Sequence, residues 1–407
     1  MIGLKDGLTV SAAHFLSGEI SAEEVLAQGR IVSSNRSSKE IHYYFLNNES
    51  GGLRMRHSID GLELPPEVKN GDLVEVKGRV YNGKNGLPYL DITELSVIER
   101  SGKLLPNTGY FNNPANRANT HESIMMNSDT LDLFKKRSKA LAILRNVMSE
   151  EGYLEVSTPT LLSKSYSSKS NEFSAKWLAK DREVYLRKAL EPKLKLLIIG
   201  GLEKIYEVGP VYRNEGLSKG YLPEFLEMDI FKAYSNYYDM MDLSETLFAH
   251  VSPIFGINSP VKRFSFEGVM EEVGHSFKNP TERFVEFRRQ VLPKLASPTL
   301  IYDFPLEVCP LAKSSDKIYS EEFRLYLNGV DIFHGYTVET DYDTISKLEE
   351  GQMASRDKDQ KRYDSSFREA LLYGMPPTGG LGLGIDRMIQ NLSGKADIRD
   401  VVMFPLV

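Results

Sequence analysis

The chain is poor in cysteine and tryptophan, with one of each among 407 residues. A lone Cys309 excludes an internal disulfide framework and any zinc site built from cysteines. It fits a reducing setting, so a cytoplasmic location is expected. No apolar run is long enough to span a bilayer. The longest, 194–201, is broken by Lys195 and reads as the end of an element entering a core. The opening stretch MIGLKDGLTV lacks the apolar core of a signal peptide, and no membrane partner is expected. An excess of positive charge is also missing: 50 Lys and Arg stand against 56 Asp and Glu, a net charge of −6. That argues against broad attraction to nucleic acid, but it leaves room for a local basic path.

What remains is an ordinary globular composition, 41% apolar and 26% charged, over a length that suits two or three domains. Up to about Ile98 the pattern alternates strand-like runs with turns. EIHYYFL (40–46), LVEVKGRVY (73–81) and YLDITELSV (89–97) are separated by Asn47-Asn48, Gly51-Gly52, Asn70-Gly71 and Asn85-Gly86. Five or so short strands with one helix-like connection fit a small barrel of the OB type, or an open antiparallel sheet. Residues 101–129, holding Pro106 and Pro114, read as a linker. The remaining 130–407 mixes helices and strands, which makes the whole an α/β (α+β) chain. Leu133, Arg137, Ala140, Leu141, Leu144, Val147 and Met148 recur at helical spacing. Gly152 closes that helix. SKSYSSKS (163–170) reads as a loop, 236–296 as mostly helical and 349–374 as charged helix. The end holds the turn MPPTGG and the glycine-rich strand GLGLGID.

Three segments carry a family likeness. KIYEVGPVYRNEG (204–216) with LPEFLEMDIFKAY (222–234) resembles motif 2 of class II aminoacyl-tRNA synthetases. YGMPPTGGLGLGIDRM (373–388) resembles motif 3 in its lysyl, aspartyl and asparaginyl variant. The helix from Arg137 through Thr158-Pro159 is similar to motif 1, which builds the dimer interface in that class. The closing IRDVVMFPL also matches the lysyl pattern. The resemblance covers nearly the whole chain and implies an OB-fold domain over 1–100 and a catalytic domain over 130–407, with an antiparallel sheet flanked by helices. It implies an amino-acid-adenylating ligase that takes ATP and Mg2+, forms a homodimer and serves protein biosynthesis.

The chemistry of the matched positions is coherent. ATP must bend so that its α-phosphate faces an amino-acid carboxylate, and charge developing at phosphorus needs fixed cations. Arg213, at a strand end, suits a bidentate phosphate contact, and Arg387 follows a strand whose small residues, Gly382 and Gly384 among them, admit a nucleotide closely. By resemblance these two are the arginines of motifs 2 and 3. Glu215 is placed to accept from the adenine amino group, and Phe225 to stack on the base. Gly374 to Thr378 lead into the adenosine-binding strand. Glu191 sits where lysyl enzymes hold the substrate α-amino group, and Asp331 where they hold a carboxylate ligand for magnesium. Tyr336 falls in the same substrate-facing run.

The departures from the lysyl pattern point to a paralogue. The Arg-His-Asn run after NEG is replaced by Gly220-Tyr221-Leu222, with Lys219 as the nearby cation. The second magnesium carboxylate aligns with Arg324, a candidate substitute for a metal ion, unless the alignment slips to Glu322; pairing of Arg324 with Glu321 or Glu322 is the simpler alternative. The two glutamates and the tyrosine that grip the lysine ammonium read Asp229, Val338 and Phe231. An ammonium left with one carboxylate would be poorly paired. His334 replaces an asparagine that orients the substrate carboxylate. In the barrel, an anticodon-stacking phenylalanine falls near His42 and a reading glutamine near Met55, while Glu94 matches. Tyr43, Tyr44 and Phe45 could stack bases, but alternation along a strand sends at least one inward. The expectation is therefore amino-acid activation with altered specificity and transfer to tRNA or another acceptor. A genuine lysine–tRNA ligase and a non-catalytic, regulatory synthetase-like protein are the alternatives.

Overall fold

The computed structural model describes residues 2–4, 9–10, 25–36, 41–48, 51–58, 68–82, 88–106, 120–165, 170–216, 218–272, 280–294, 298–306, 312–314, 318–354 and 365–406. Cys309, Pro114, the Asn85-Gly86 turn and part of the serine-rich loop lie outside these residues. Two compact units are present, 1–135 with 402–405 and 407, and 136–401 with 406.

The first unit is built on seven strands: β1 (Ile2–Leu4), β2 (Thr9–Val10), β3 (Val25–Arg36), β4 (Ile41–Asn48), β5 (Gly51–Ser58), β6 (Leu73–Asn82) and β7 (Pro88–Glu99). The order β3-β4-β5-β7-β6 closes on itself through β3–β6 pairing, so five strands form a barrel of the OB type rather than an open sheet. Closure follows from alternation: Val25, Ala27, Leu53, Met55, Val74, Val76, Leu90 and Ile92 all point into one core. Gly71, at φ +107°, makes the Asn70-Gly71 turn. Asp72 pins this turn by accepting from the amides of Lys69 and Ser101 at 3.0 and 2.8 Å. Tyr44 is buried in the core, whereas Tyr43 and Phe45 lie on the other face. Met55 is fully buried, so the position expected to read a base is a core residue.

In the second unit an eight-stranded sheet runs in the order β14-β15-β16-β17-β18-β13-β12-β8. Its members are β8 (Leu154–Glu155), β12 (Lys204–Tyr212), β13 (Glu224–Ala233), β14 (Lys262–Ser265), β15 (Thr299–Pro305), β16 (Tyr319–Leu327), β17 (Val330–Thr337) and β18 (Thr378–Gly384). A small sheet of β9 (Leu161–Leu162), β10 (Ser174–Trp177) and β11 (Arg182–Leu186) lies apart from it. After a short α1 (His121–Met126), the long α2 (Ser128–Glu150) ends at Gly152, φ +76°, as the helix-stop residue predicts. Ala140, Leu144, Val147 and Met148 of α2 are buried by the chain itself. Much of the apolar stripe therefore packs within the chain, while Leu141 and Ile143 stay half-buried.

The remaining helices are α3 (Glu191–Ile199), α4 (Tyr237–Val251), α5 (Phe266–Glu272), α6 (Pro280–Glu286), α7 (Tyr342–Ala354), α8 (Ser366–Leu371) and α9 (Ile385–Leu392). The run broken by Lys195 is α3, which buries Leu194, Lys195 and Ile198. Residues 236–296 are not all helical, since Lys262–Ser265 pairs with β15.

Candidate active site

The centre of the large sheet forms a trough because of what β18 leaves out. Register places Asp229, Gly382, His334 and Arg324 in one row across β13, β18, β17 and β16, and Phe231, Gly380, Tyr336 and Glu322 in the next. Residues paired in this way share a face. The glycines supply no side chain, so the walls rise from β13 on one side and β17 on the other. A β-carbon at Gly380 would lie 2.7 Å from the Phe231 ring, and one at Gly382 would lie 3.1 Å from Asp229 Oδ1. The result is a cavity of about 400 Å³. Glu191, Arg213, Glu215, Phe225, Asp229 and Phe231 line it from the first half of the motif order, and Asp331, His334, Tyr336, Gly382, Gly384 and Arg387 from the second. Lys219 and Arg324 instead line a neighbouring cavity. Val338 lies behind the wall, buried with Phe231, Leu190 and Ile205.

Each arginine is aimed by contacts that sequence order alone did not reveal. Arg213 follows the last residue of β12, where Arg187 and Glu207 form a buried ion pair at 2.6 Å. Arg187 also donates to the carbonyls of Pro210 and Thr158, and Arg213 Nε donates to the Lys188 carbonyl at 3.3 Å. Its guanidinium lies 5.0 Å from the Phe225 ring centre and 3.9 Å from Glu227. On the other wall, buried Asp386 accepts from the Leu226 amide at 2.8 Å and pairs with Arg137 of α2. This fixes the start of α9 and hence Arg387, whose guanidinium lies 5.5 Å from the Tyr221 ring and 3.5 Å from Asp331. About a third of each of the two side chains, Arg213 and Arg387, stays exposed. Neither is locked in a short ion pair, so both are available to an incoming phosphate.

The end of the cavity around Glu191 and Asp229 is acidic. Glu191 pairs with Lys195 one turn along α3 and accepts from the Tyr336 hydroxyl. The Lys195 ammonium also lies over the rings of Phe367 and Tyr336. Burial pushes Glu191 up, but Lys195 and the Tyr336 hydroxyl outweigh it and hold the carboxyl below its usual range. Asp229 behaves oppositely. Burial and then the neighbouring Glu227 and Glu191 carboxylates raise it well above the usual value. Burial likewise raises Glu227, with Arg213 opposing. Glu322, fully buried, is held down at about 2: burial alone would raise it, but His334 and then Arg324 outweigh that. Both bases stand close, with His334 Nε2 at 2.9 Å and Arg324 Nη2 at 2.7 Å from Oε1.

The family model for tRNA synthetases class II (D, K and N) matches residues 115–407. The chain belongs to that family. It is accordingly an aminoacyl-tRNA synthetase-like, amino-acid-adenylating ligase. Among similar proteins, "Lysine--tRNA ligase" of Lysinibacillus sphaericus (strain C3-41) is 32% identical over 95% of this chain and 87% of its own. The protein of the same name from Moorella thermoacetica is 29% identical over 95% and 89%, and that from Thermosipho melanesiensis 31% identical over 94% and 86%.

Class II synthetases use ATP with a divalent metal, and the side chains here fit that requirement only in part. Among the described residues, no group of three His, Cys, Asp or Glu is placed to hold a metal ion. Asp331 offers one carboxylate beside Arg387. That suits a magnesium ion carried in on the triphosphate, which needs few protein ligands. A second, protein-held ion does not fit, because Glu322 is already committed and the Arg324 guanidinium sits beside it. Sequence reading missed Glu227, Lys195, Arg187 and Asp386. Glu227 was accessible to it, since it shares the β13 alternation of Phe225, Asp229 and Phe231; the other three depend on partners remote in sequence or one helical turn away.

Proposed function

We propose that this ligase activates a diamino acid with a short cationic side chain, using ATP, and transfers the acyl group to a tRNA. Arg213 and Arg387 hold the α-phosphate, Glu215 and Phe225 receive the adenine, and Asp331 holds the magnesium that accompanies the phosphates. A substrate carboxylate oxygen bonds to the α-phosphorus as the bond to the bridging oxygen of the β-phosphate breaks, and pyrophosphate leaves with that electron pair. Fixed guanidinium groups at the α-phosphate stabilise the charge that develops there.

The carboxylate count in the cavity carries the substrate reading. Glu191, Glu227 and Asp229 face Lys195 and Arg213. Once ATP engages Arg213, three carboxylates are left with one lysine. Burial shifts Glu227 and Asp229 toward their protonated forms, and two further cations, the α-ammonium and one on the side chain, hold all three carboxylates ionised. The side-chain cation sits near Asp229 rather than deeper, because the Phe231 ring and buried Val338 close the far end with apolar surface.

Amino-acid-dependent exchange of labelled pyrophosphate into ATP tests this. A panel of 2,3-diaminopropionate, 2,4-diaminobutyrate, ornithine, lysine, arginine and neutral amino acids should show its maximum at a chain shorter than lysine. Absence of exchange with every amino acid would defeat the activation reading. The relatives named as lysine–tRNA ligases favour a second reading, in which lysine leads the panel. A homodimer is part of the proposal. It is supported by β8 at the edge of the large sheet, where Leu154 is exposed, and by exposed Leu161 nearby in sequence.

A further inference from the structure

His334 lines the trough, yet the activation step gives it no task. It stands on β17 between Asp331, which lies beside Arg387, and Tyr336, which donates to Glu191. One end of that strand therefore meets the arginine assigned to the α-phosphate, and the other meets the carboxylates assigned to the ammonium groups. Across the row, Gly382 supplies no side chain and Asp229 faces His334 from the far wall. The acyl carbon is bonded both to the amino acid's α-carbon and to a phosphate oxygen. It lies between the two ends, on the His334 stretch of the wall.

The two edges of the imidazole differ. Nε2 is buried and lies 2.9 Å from Oε1 of Glu322, which also holds Arg324. Still, 39% of the His334 side chain is exposed. Glu322 is the one polar partner of the ring among the described residues, so Nδ1 is uncommitted. The other charges that face the ring are the Asp229 carboxylate from β13 and the Glu191 carboxylate from α3, which feels the charge of the imidazole. Glu322 is held at about 2 and stays ionised. An ionised carboxylate at Nε2 selects the tautomer with its proton there and leaves the lone pair on Nδ1.

The two half-reactions make different demands on such a group. In activation the nucleophile is a carboxylate, already ionised at neutral pH, and no base is needed. In transfer the nucleophile is a ribose hydroxyl, which must lose a proton as it attacks. A histidine backed by a buried carboxylate, with its other nitrogen open to the reacting centre, has the form of a general base. We infer that His334 is the general base of the transfer step, its Nδ1 taking the proton of the attacking hydroxyl while buried Glu322 positions the ring. The hydroxyl oxygen bonds to the acyl carbon as the bond from that carbon to the adenylate phosphate oxygen breaks. AMP leaves with that electron pair, and the proton passes from Nδ1 to solvent. This inference deepens the activation reading and rests on it.

Single-turnover transfer tests it. The full chain is loaded with ATP and the labelled amino acid that leads the exchange panel, then mixed with unfractionated tRNA, and labelled aminoacyl-tRNA is followed. Pyrophosphate exchange is measured in parallel, and the quantity read is the ratio of transfer rate to exchange rate. In His334→Ala that ratio should fall about a hundredfold, the scale of a lost general base. Added imidazole should restore part of the transfer in His334→Ala and do nothing for the wild type. His334→Asn keeps a polar side chain without a base, so it should stay slow; it also provides the comparison if the alanine variant does not fold. Glu322→Gln should lower the ratio by a smaller factor, and imidazole should not rescue it. An unchanged ratio in His334→Ala, equal losses in both rates, or full transfer in His334→Asn overturns the role. So does a wild type that exchanges but charges no tRNA, which leaves activation standing. Absence of exchange is seen in its own arm and defeats the activation reading, and the base with it.

Discussion

Arg324 and Glu322 stand two residues apart on β16 and on one side of the sheet, with Nη2 2.7 Å from Oε1 of a carboxylate that has no exposed surface. The pair joins the cavity over β18, which His334 lines, to the neighbouring one, which Arg324 lines. Removing the arginine alone leaves the buried carboxylate with His334 and a long hydrogen bond from the Ser320 hydroxyl at 3.4 Å. Arg324→Ala should therefore cost about 3 kcal/mol of folding stability by urea titration, and Arg324→Ala with Glu322→Gln distinctly less. The single variant should also need more magnesium for exchange. An unchanged magnesium dependence would remove any catalytic role for Arg324.

Acid should act on the same pair with a definite sign. Glu322 is held at about 2 in the folded chain, below the unfolded value of about 4.3. Its stabilisation is therefore complete above the unfolded value and fades as pH falls toward the folded one. The stability gap between wild type and Glu322→Gln should narrow as pH falls from about 4.3 toward about 2. Asp229 is shifted upward by burial, so the sign reverses. Its contribution favours folding at low pH and is lost as pH rises through the folded value. Asp229→Asn should thus gain stability relative to wild type as the solution becomes more alkaline. A gap independent of pH would contradict either assignment.

Arg213→Ala and Arg387→Ala should each lower the exchange rate by roughly a hundredfold or more, the usual loss when one fixed donor to a developing oxyanion is removed. Unfolding curves should move little, since each side chain is about one-third exposed. Full exchange in Arg387→Ala would exclude it from the phosphate site.

Specificity should follow the acidic wall. Glu227→Gln and Asp229→Asn should raise KM for a cationic amino acid by at least about tenfold, the scale of one lost charge-assisted contact, with ATP affinity unaffected. Val338→Glu should shift preference toward lysine, at some cost in thermal stability, because it places a carboxylate among Phe231, Leu190 and Ile205. Identical rankings across the panel in all three variants would show that the discriminating contacts lie elsewhere.

Sedimentation equilibrium at micromolar concentration should return twice the chain mass. A monomer would contradict the dimer, and the inward-facing stripe of α2 would then have covering its own sheet as its whole role.

The fold was legible where short-range pattern decides it. Strand alternation with turns at Asn70-Gly71 marked the barrel, and two motifs in order marked the catalytic unit. Closure of the barrel was less accessible, because it depends on β3 meeting β6 across more than forty residues. Of the residues inside the motifs, Arg213, Asp229 and Gly382 line one cavity. Val338 does not line the cavity itself but packs in the core against Phe231 and Tyr336, which do. Lys195 looked like an interruption of an apolar run, yet a helix turn brings it onto Glu191.

The floor of the trough is chemically silent. β18 is flanked on both sides, by β13 and by β17, so its amides and carbonyls are engaged in the ladders. What a ligand meets at Gly380 and Gly382 is methylene surface that neither donates nor accepts. Discrimination among substrates must then be written entirely in the side walls, and those can change one residue at a time while the strand beneath keeps its register. A lineage could exchange one amino acid for another on such a floor without rebuilding the catalyst.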